Sequence, residues 1–383
     1  MKYILLLSTL LLIICERGLC RSPFVIVPGI AGSQLWAFEQ DPSKRWQIWV
    51  SLDEIYAERK VVPLLKLDYD LRKRRPVDNH ELSTGPGYYG STRGIDYLDD
   101  SLQFGITGAY MVYLVDFFVK NDPFYVRNKT VRGASFDFRF TPRDKPEMLT
   151  DLKALIEETY KNSNNTKVTL LGHSYGSANA VIFLNNMSKQ WRATYIKQFV
   201  SISGVFGGSV KALKAHISGD KVNLPFIYSS TLRPLLRTMS GLSAILPQVD
   251  VFDEENLVLT DEGNFTSRQY RELYTRLDSM NSFYMWEDNE HMFSKQTIPP
   301  SDVKCVCIYG YGLDTIRQLD YRNGRFPDYD PKMIFGNGDG TVNIESLELC
   351  KKWSQVELFT LEKAEHFAIV SDKRLFDLIK TII

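Results

Sequence analysis

Short runs of β-branched and other apolar residues alternate with helical patterns along most of this chain of 383 residues. This alternation is typical of a largely parallel sheet with helices on its faces, because parallel strands need a crossover connection between them. The predicted strands are residues 24–27, 167–171, 195–202, 303–309 and 356–361. The predicted helices are residues 144–160, with Asp144 as their cap, 177–184 and 372–383. The pattern therefore indicates the α/β class.

Two segments do not follow the alternation. Residues from about 36 to 75 hold several tryptophans among charged residues, and residues from about 205 to 300 are too long for a simple connection between strands. No Pro/Ser-rich linker separates two halves of the chain. We therefore predict one domain over residues 21–383, with both segments as insertions in it.

The first twenty residues have the pattern of a secretory signal peptide. Lys2 precedes an apolar run of about 13 residues, and the small residues Gly18 and Cys20 come before the expected cut. A membrane-spanning helix needs roughly 20 apolar residues, so this run is too short for a permanent anchor. We expect residues 1–20 to direct the chain into the secretory pathway, with the lysosome or secretion as the destination.

Sequons for N-glycosylation agree with that compartment. They begin at Asn128, Asn164, Asn186 and Asn264. Asn186 falls on a predicted helix, where a glycan is hindered, so Asn128, Asn164 and Asn264 are the predicted glycosylation sites.

Three cysteines follow the predicted signal peptide, and an oxidising compartment favours one disulfide among them. Cys305 and Cys307 lie two residues apart in one predicted strand and cannot easily pair with each other. Either of them can reach Cys350.

Charge and motifs argue against some classes of function. The chain has 46 basic and 46 acidic side chains, so no basic excess is available to hold a nucleic acid. No cation-binding loop and no His/Cys cluster is apparent, so neither a metal nor another cofactor is expected.

The sharpest local motif is Gly-His-Ser-Tyr-Gly at residues 172–176. It directly follows an apolar run and opens a helical one, which is the strand–turn–helix context of a nucleophile elbow. Such a turn exposes the hydroxyl of Ser174 and demands small residues two positions before and after it. The motif therefore predicts a serine nucleophile.

A serine hydroxyl needs a histidine base, and in this architecture the histidine comes last in the chain. His366 follows the last predicted strand, where a loop can return its imidazole to the serine. His216 is expected to face solvent on a helix, and His291 to lie in a charged loop. We therefore predict His366 as the base.

Two residues are candidates for the acid that orients this histidine. Asp314 follows the predicted strand 303–309 almost at once, where such an acid often lies. Asp339 lies between glycines that permit a tight turn, with backbone amides available to bind its carboxylate. Position favours Asp314 and local chemistry favours Asp339, so the residues alone leave both open.

Acyl transfer also needs two backbone N–H groups aimed at the developing oxyanion. Tyr175, directly after the serine, is the first predicted donor. Ile30, in the glycine-rich loop after the first predicted strand, is the second.

Many ordered motifs over nearly the whole chain resemble the lecithin:cholesterol acyltransferase-like family, and within it the phospholipase A2 branch of lysosomes. These are residues 25–29, 32–35, 46–49, 132–139, 172–176, 218–220, 264–266, 307–310, 326–331, 335–342 and 365–366. The resemblance implies an α/β-hydrolase fold with a triad of Ser174, Asp339 and His366. It also implies a disulfide between Cys307 and Cys350.

The same resemblance implies a membrane-binding part at about residues 36–75 and a mobile lid at about residues 208–247. Trp46, Ile48 and Trp49 suit binding to a phospholipid membrane surface, because an indole has a large apolar body and one polar N–H. Within the lid segment, helical spacing favours core packing for Leu232, Leu235, Leu236 and Met239.

Together these observations predict a serine-dependent phospholipase A and transacylase. It would cleave fatty-acyl esters of glycerophospholipids through an acyl-enzyme and pass the acyl group to water or to a lipid alcohol such as ceramide or a sterol. The alternatives are a neutral-lipid lipase or carboxylesterase, and a non-catalytic lipid-binding protein on the same fold.

Overall fold

The structure is a computed structural model that describes residues 21–41, 43–51, 61–78, 80–99, 108–221, 228–295 and 297–383. The predicted signal peptide, residues 1–20, lies outside the described residues.

The strands are numbered in chain order. They are β1 (Phe24–Val27), β2 (Leu35–Phe38), β3 (Arg45–Trp49), β4 (Leu67–Asp70), β5 (Arg75–Asp78), β6 (Ser83–Pro86), β7 (Val131–Gly133), β8 (Val168–His173), β9 (Ile196–Ile202), β10 (Val258–Thr260), β11 (Gly263–Phe265), β12 (Cys305–Tyr311), β13 (Leu313–Asp320), β14 (Lys332–Gly338) and β15 (Val356–Glu362).

The helices are numbered in the same way. They are α1 (Val61–Leu65), α2 (Arg93–Asp96), α3 (Val112–Asn121), α4 (Glu147–Asn162), α5 (Tyr175–Asn186), α6 (Lys189–Tyr195), α7 (Val210–Ile217), α8 (Ser229–Leu236), α9 (Ser240–Ser243), α10 (Val249–Phe252), α11 (Tyr270–Arg276), α12 (Met280–Lys295), α13 (Ile344–Leu347) and α14 (Lys373–Ile382). Short 3₁₀ segments cover Ser267–Gln269, Glu348–Lys352 and Ala368–Ser371.

A six-stranded sheet in the order β15-β12-β9-β8-β1-β7 forms the centre of the described molecule, and all of its neighbouring strands run parallel. Five of these strands correspond to the predicted ones. The sixth, β7, has only three residues, which is too short to show a pattern in the sequence. The predicted α/β-hydrolase fold is confirmed.

The two faces of this sheet are both covered. Phe24 and Ile26 of β1 belong to a core with helices α3 and α14, whereas Val25 and Val27 belong to a core with helices α4 and α5. Successive side chains of a strand point to opposite faces, so a short apolar run such as Phe24–Val27 contributes to both cores.

Three smaller sheets surround the central one. Strands β11-β10-β13-β14, β3-β2-β6 and β4-β5 form them. The predicted insertion at about residues 36–75 thus folds in part as strands that pair with β5 and β6 beyond its predicted end. The second insertion, about residues 205–300, folds mainly as helices α7 to α12 with the hairpin β10–β11.

Core packing in the predicted lid segment is confirmed. Leu232, Leu235, Leu236 and Met239 are all buried. The mobility expected for residues 208–247 stays a prediction, and residues 222–227 within that range lie outside the described residues.

The helix α4 begins three residues later than predicted. Its N-cap is Pro146, and no side chain caps it. Asp144 is buried and accepts hydrogen bonds from the hydroxyls of Thr141 and Ser240 instead. The cap prediction was wrong because a tertiary contact, which local sequence does not contain, takes the carboxylate.

None of the helices in the ranges that the structure describes is long and apolar enough to cross a membrane.

Candidate active site

Ser174 lies in the sharp turn between β8 and α5, with φ +54° and ψ −126°. A side chain at either flanking glycine would clash. A Cβ at Gly172 would lie 2.6 Å from the Cα of Ser177, and one at Gly176 would lie 2.2 Å from the carbonyl oxygen of Val27. The backbone strain at Ser174 is therefore held by close packing of strand, turn and helix.

The structure brings Ser174, His366 and Asp339 together. The Oγ of Ser174 lies 2.9 Å from Nε2 of His366, and Nδ1 of the same imidazole lies 2.7 Å from Oδ2 of Asp339. The serine is 6 % exposed, the histidine 7 % and the aspartate 0 %. This is the order nucleophile, base and acid, in a site that is nearly closed to water.

Backbone groups hold the carboxylate of Asp339 in place. Its Oδ1 accepts hydrogen bonds from the N–H groups of Thr341, at 3.1 Å, and Val342, at 2.8 Å. Its carbonyl oxygen accepts the N–H of His366 at 2.9 Å. Because Oδ1 is used by the turn, Oδ2 is left to face the imidazole, which is the local chemistry that the glycines around Asp339 suggested.

The competing candidates lie elsewhere. Asp314 is exposed on β13. His291 is exposed, as expected, but on helix α12 and not in a loop. The prediction that His216 faces solvent was wrong: it is fully buried, its Nδ1 lies 2.8 Å from the hydroxyl of Tyr274, and burial lowers its pKa to about 3.

Of the two predicted oxyanion donors, Tyr175 follows Ser174 directly and Ile30 lines the same cavity as Ser174. Tyr175 is the first residue of α5, where a backbone N–H has no acceptor within its own helix. Ile30 lies in a tight turn in which the N–H of Gly32 donates to the carbonyl oxygen of Gly29 at 3.1 Å. Within the described ranges the backbone N–H of Ile30 donates no hydrogen bond.

A cavity of about 400 Å³ opens from Ser174 and His366. Its lining is mostly apolar and includes Ile30, Trp49, Val50, Leu98, Phe138, Val205, Ala212, Ala215, Leu232, Leu235, Leu236, Met239, Leu242, Ile245 and Phe367. The volume lies within the roughly 300–1,000 Å³ typical of ligand pockets. Its chemistry suits a hydrocarbon chain placed next to the serine.

The residues predicted to bind a membrane have other positions. Ile48 is 0 % exposed in the core, and Trp49 is 4 % exposed, lines the cavity and donates its indole N–H to the carbonyl oxygen of Ala31 at 2.9 Å. Trp46 is half-buried against the same core. The predicted membrane contact of Ile48 and Trp49 was therefore wrong, because both faces of β3 are covered where these two residues lie. Membrane binding by Trp46 stays a prediction.

The disulfide implied by the family resemblance is present between Cys307 and Cys350, whose Cα atoms are 6.4 Å apart. Cys305 is free and buried. The predicted glycosylation residues Asn128, Asn164 and Asn264 are all exposed, which a glycan requires; their modification stays a prediction. No group of three or more His, Cys, Asp or Glu side chains able to hold a metal occurs in the part of the chain that the structure describes.

Sequence reasoning missed the cavity walls and one polar neighbour of the site, Tyr110. This tyrosine is buried beside His173, and its ring stacks on Phe367 with centroids 5.1 Å apart. No motif surrounds Tyr110, so only its position in space could reveal it.

The family model of lecithin:cholesterol acyltransferase matches residues 73–298 and 262–373. A phosphatidylcholine-sterol acyltransferase of Gallus gallus is 33 % identical over 86 % of this chain and 81 % of its own length. A lysosomal phospholipase A and acyltransferase of Bos taurus is 30 % identical over 95 % of this chain and 92 % of its own length. The protein of the same name from Homo sapiens is 29 % identical over 99 % of this chain and 95 % of its own length.

Among solved structures, the Tle4–Tli4 complex contains a chain that matches with a TM-score of 0.58, covering 94 % of this chain and 98 % of that one. Its sequence identity is 11 %, so the likeness concerns the fold alone.

Proposed function

Because this chain belongs to the lecithin:cholesterol acyltransferase family, we propose that it is a serine-dependent phospholipase A and acyltransferase that works on glycerophospholipids at a membrane surface. The observation that carries the proposal is the contact of His366 with both Ser174 and Asp339 at the end of an apolar cavity. That arrangement supports nucleophilic attack on an ester whose acyl chain lies in the cavity.

In the first half of the reaction, Nε2 of His366 takes the proton of Ser174 as Oγ attacks the acyl carbonyl carbon. The negative charge that develops on the carbonyl oxygen is stabilised by the N–H groups of Ile30 and Tyr175. Asp339 stabilises the imidazolium through Nδ1. Collapse of the tetrahedral intermediate breaks the ester bond, and His366 gives its proton to the leaving lysophospholipid oxygen.

In the second half an acceptor hydroxyl attacks the acyl-enzyme, with His366 again as the base. Water as the acceptor gives a fatty acid, and a lipid alcohol gives a new ester. The relatives include sterol acyltransferases and phospholipase A/acyltransferases at similar identity. A sterol, ceramide or another lipid alcohol is therefore proposed as the acceptor besides water, and the apolar lining favours such an acceptor over water.

Its proposed location is the secretory pathway, ending in the lysosome or outside the cell. The lysosomal relatives and the exposed sequons at Asn128, Asn164 and Asn264 support this.

The test compares Ser174→Ala with wild type on phospholipid vesicles that contain ceramide and sterol. Mass spectrometry of the products, at an acidic and a neutral pH, identifies the acyl acceptor. We expect Ser174→Ala to remove fatty-acid and ester formation, since removing the nucleophile of a triad costs about 10⁶-fold in kcat. Vesicle binding, measured by co-sedimentation, should stay unchanged.

The matched control is Ser203→Ala. Ser203 is also fully buried just beyond a strand of the central sheet, and its hydroxyl lacks a hydrogen-bond partner in the described residues. This variant should keep wild-type turnover. Undiminished turnover in Ser174→Ala, or hydrolysis of soluble esters without any attack on vesicles, would contradict the proposed function.

A further inference from the structure

A chain of hydrogen bonds connects three parts of the proposed active site that are far apart in sequence. The N–H of Gly29 lies 3.0 Å from the hydroxyl of Tyr110, and this hydroxyl lies 2.6 Å from Nδ1 of His173. Nε2 of His173 lies 2.9 Å from the carbonyl oxygen of His366. The chain thus joins the loop of Ile30, the turn of Ser174 and the segment of His366.

The direction of every proton in this chain follows from the groups themselves. A carbonyl oxygen can only accept, so Nε2 of His173 carries a proton and donates it to the carbonyl oxygen of His366. In a neutral imidazole Nδ1 is then an acceptor, so the Tyr110 hydroxyl donates to it. A backbone N–H can only donate, so the same hydroxyl accepts from Gly29. The chain is complete only with a neutral imidazole in this one tautomer.

The surroundings favour that neutral form. Tyr110 is 1 % exposed and His173 2 % exposed. Burial first, and the charge of the adjacent His366 second, lower the pKa of His173 to about 3. His173 therefore remains uncharged when its neighbour His366 becomes an imidazolium during the reaction.

The first link bears on the oxyanion site. The peptide group between Gly29 and Ile30 carries the proposed N–H donor. The N–H of Gly29 donates to the hydroxyl of Tyr110, and the carbonyl oxygen of Gly29 accepts the N–H of Gly32. These two hydrogen bonds fix Gly29 on both sides. The backbone N–H of Tyr110 donates to the carbonyl oxygen of Asp96 at 2.8 Å, and the ring of Tyr110 stacks on Phe367. Tyr110 is therefore itself held in place.

We propose that Tyr110 and His173 are positioning residues that hold the backbone N–H of Ile30, the oxyanion donor, in the correct position relative to Ser174 and His366. This inference rests on the proposed function. Both side chains border the cavity, but in the described residues neither is hydrogen-bonded to Oγ of Ser174 or to the ring of His366; each acts through the backbone that it holds. Oxyanion stabilisation depends on donors placed within a few tenths of an ångström. Removing one of these hydrogen bonds should therefore lower kcat more than it weakens substrate binding.

The test is Tyr110→Phe, which keeps the ring and its stacking and removes only the hydroxyl. The structure offers a matched control in Tyr274→Phe. Tyr274 is also fully buried, and its hydroxyl is also hydrogen-bonded, at 2.8 Å, to Nδ1 of a buried histidine, His216, which does not line the cavity. Tyr274→Phe removes one hydrogen bond to a histidine, whereas Tyr110→Phe removes such a bond and also the acceptor of the Gly29 N–H, so Tyr110→Phe should lose more stability in urea unfolding.

Their kinetics should differ. We expect Tyr110→Phe to lower kcat about 10- to 100-fold with KM within about twofold, which is less than the 10²–10³-fold cost of deleting an oxyanion donor outright. Tyr274→Phe should keep kcat within about twofold. Equal kcat in the two variants would overturn the proposal.

A second readout separates positioning from general loosening. A trifluoromethyl ketone analogue of the substrate forms an oxyanion with Ser174, whereas the corresponding alcohol cannot. In Tyr110→Phe the ketone should bind more weakly by the same factor as kcat/KM falls, and the alcohol should bind as in wild type. An equal loss for ketone and alcohol would contradict the proposal.

A measurement on the wild-type protein covers the case in which Tyr110→Phe does not fold. NMR of protein with ¹⁵N-labelled histidine should show His173 neutral, with its proton on Nε2, from neutral to mildly acidic pH. A protonated ring, or a proton on Nδ1, would refute the chain. Labelling of Ser174 by a fluorophosphonate tests the proposed nucleophile separately, so loss of the proposed function and loss of this inference are distinguishable.

Discussion

The two carboxylate oxygens of Asp339 have different partners. Oδ1 accepts the N–H groups of Thr341 and Val342, and Oδ2 faces Nδ1 of His366. An asparagine can keep its amide oxygen on the turn, but its NH₂ group would then face Nδ1. The turn would remain intact while the imidazole loses the acceptor that sets its tautomer.

We therefore expect Asp339→Asn to fold and to lower kcat by about 10³- to 10⁴-fold, because the wrong histidine tautomer cannot accept the serine proton. Steady-state kinetics on phospholipid vesicles measures this. The control is Asp314→Asn, which changes the exposed carboxylate that chain position also suggested, and which should leave kcat unchanged. A large loss in Asp314→Asn with none in Asp339→Asn would reverse the assignment of the acid.

At the scale of the elements, the strand β8 pairs with β1, and the helix α5 that follows the turn of Ser174 packs closely against β1. Gly176 is the contact between α5 and β1, since a Cβ there would lie 2.2 Å from the carbonyl oxygen of Val27 and 2.3 Å from that of Pro28. Both atoms belong to backbone and cannot move aside. The strand-to-helix geometry thus depends on the absence of one side chain.

Gly176→Ala is predicted to destabilise the protein by about 2 kcal/mol or more, because overpacking against backbone forces the helix away from the sheet. Urea unfolding at neutral pH measures this change in the free energy of unfolding. Gly85→Ala is the control: a Cβ at Gly85 would meet nothing within 4 Å, so the change should stay within about 0.5 kcal/mol. Wild-type stability in Gly176→Ala would show that α5 can shift without cost.

The disulfide acts at the same scale. It joins β12 of the central sheet to the 3₁₀ segment Glu348–Lys352 across a sequence separation of 43. Closing a loop of this length stabilises the folded chain by about 4 kcal/mol on the chain-entropy estimate. This segment lies between Asp339 and His366, so the cross-link limits the motion of the connection between them.

For the whole molecule, the buried histidines make stability depend on pH. Burial lowers the pKa of both His173 and His216 to about 3, below the ordinary value near 6.5. Below pH 6.5 the unfolded chain therefore binds more protons than the folded one, and stability falls as the pH falls toward 3. Asp96 works in the opposite sense, since burial raises its pKa to about 6.

We expect His216→Gln to reduce the slope of unfolding free energy against pH by about 1.4 kcal/mol per pH unit between about pH 4 and 6, since one proton fewer is taken up on unfolding. Asp96 is present in both proteins and cancels in the comparison. Urea unfolding at several pH values measures the two slopes. Equal slopes would mean that His216 is charged in the folded protein.

Much of this architecture is readable from local sequence. Short apolar runs flanked by helical patterns predicted five strands of the central sheet, and Gly-x-Ser-x-Gly between a strand and a helix predicted the turn of Ser174. These signals are local because a strand buried on both faces must be apolar throughout, and because the elbow excludes side chains at fixed spacing. The family resemblance added the choice of Asp339 and the disulfide.

Tertiary structure alone decided the features that depend on packing between distant segments. Ile48 and Trp49 occur among charges as a membrane-binding segment would have them, yet other segments cover both faces of β3 there and bury both side chains. His216 follows Lys211 and Lys214 on its helix, yet the insertion buries it beside Tyr274. No motif marks Tyr110, the residue that links Gly29 to His173, because the three meet only when β1, β8 and the segment before α3 pack together. Local sequence determines which conformations each segment prefers, and the burial of one segment by another determines which side chains face the site.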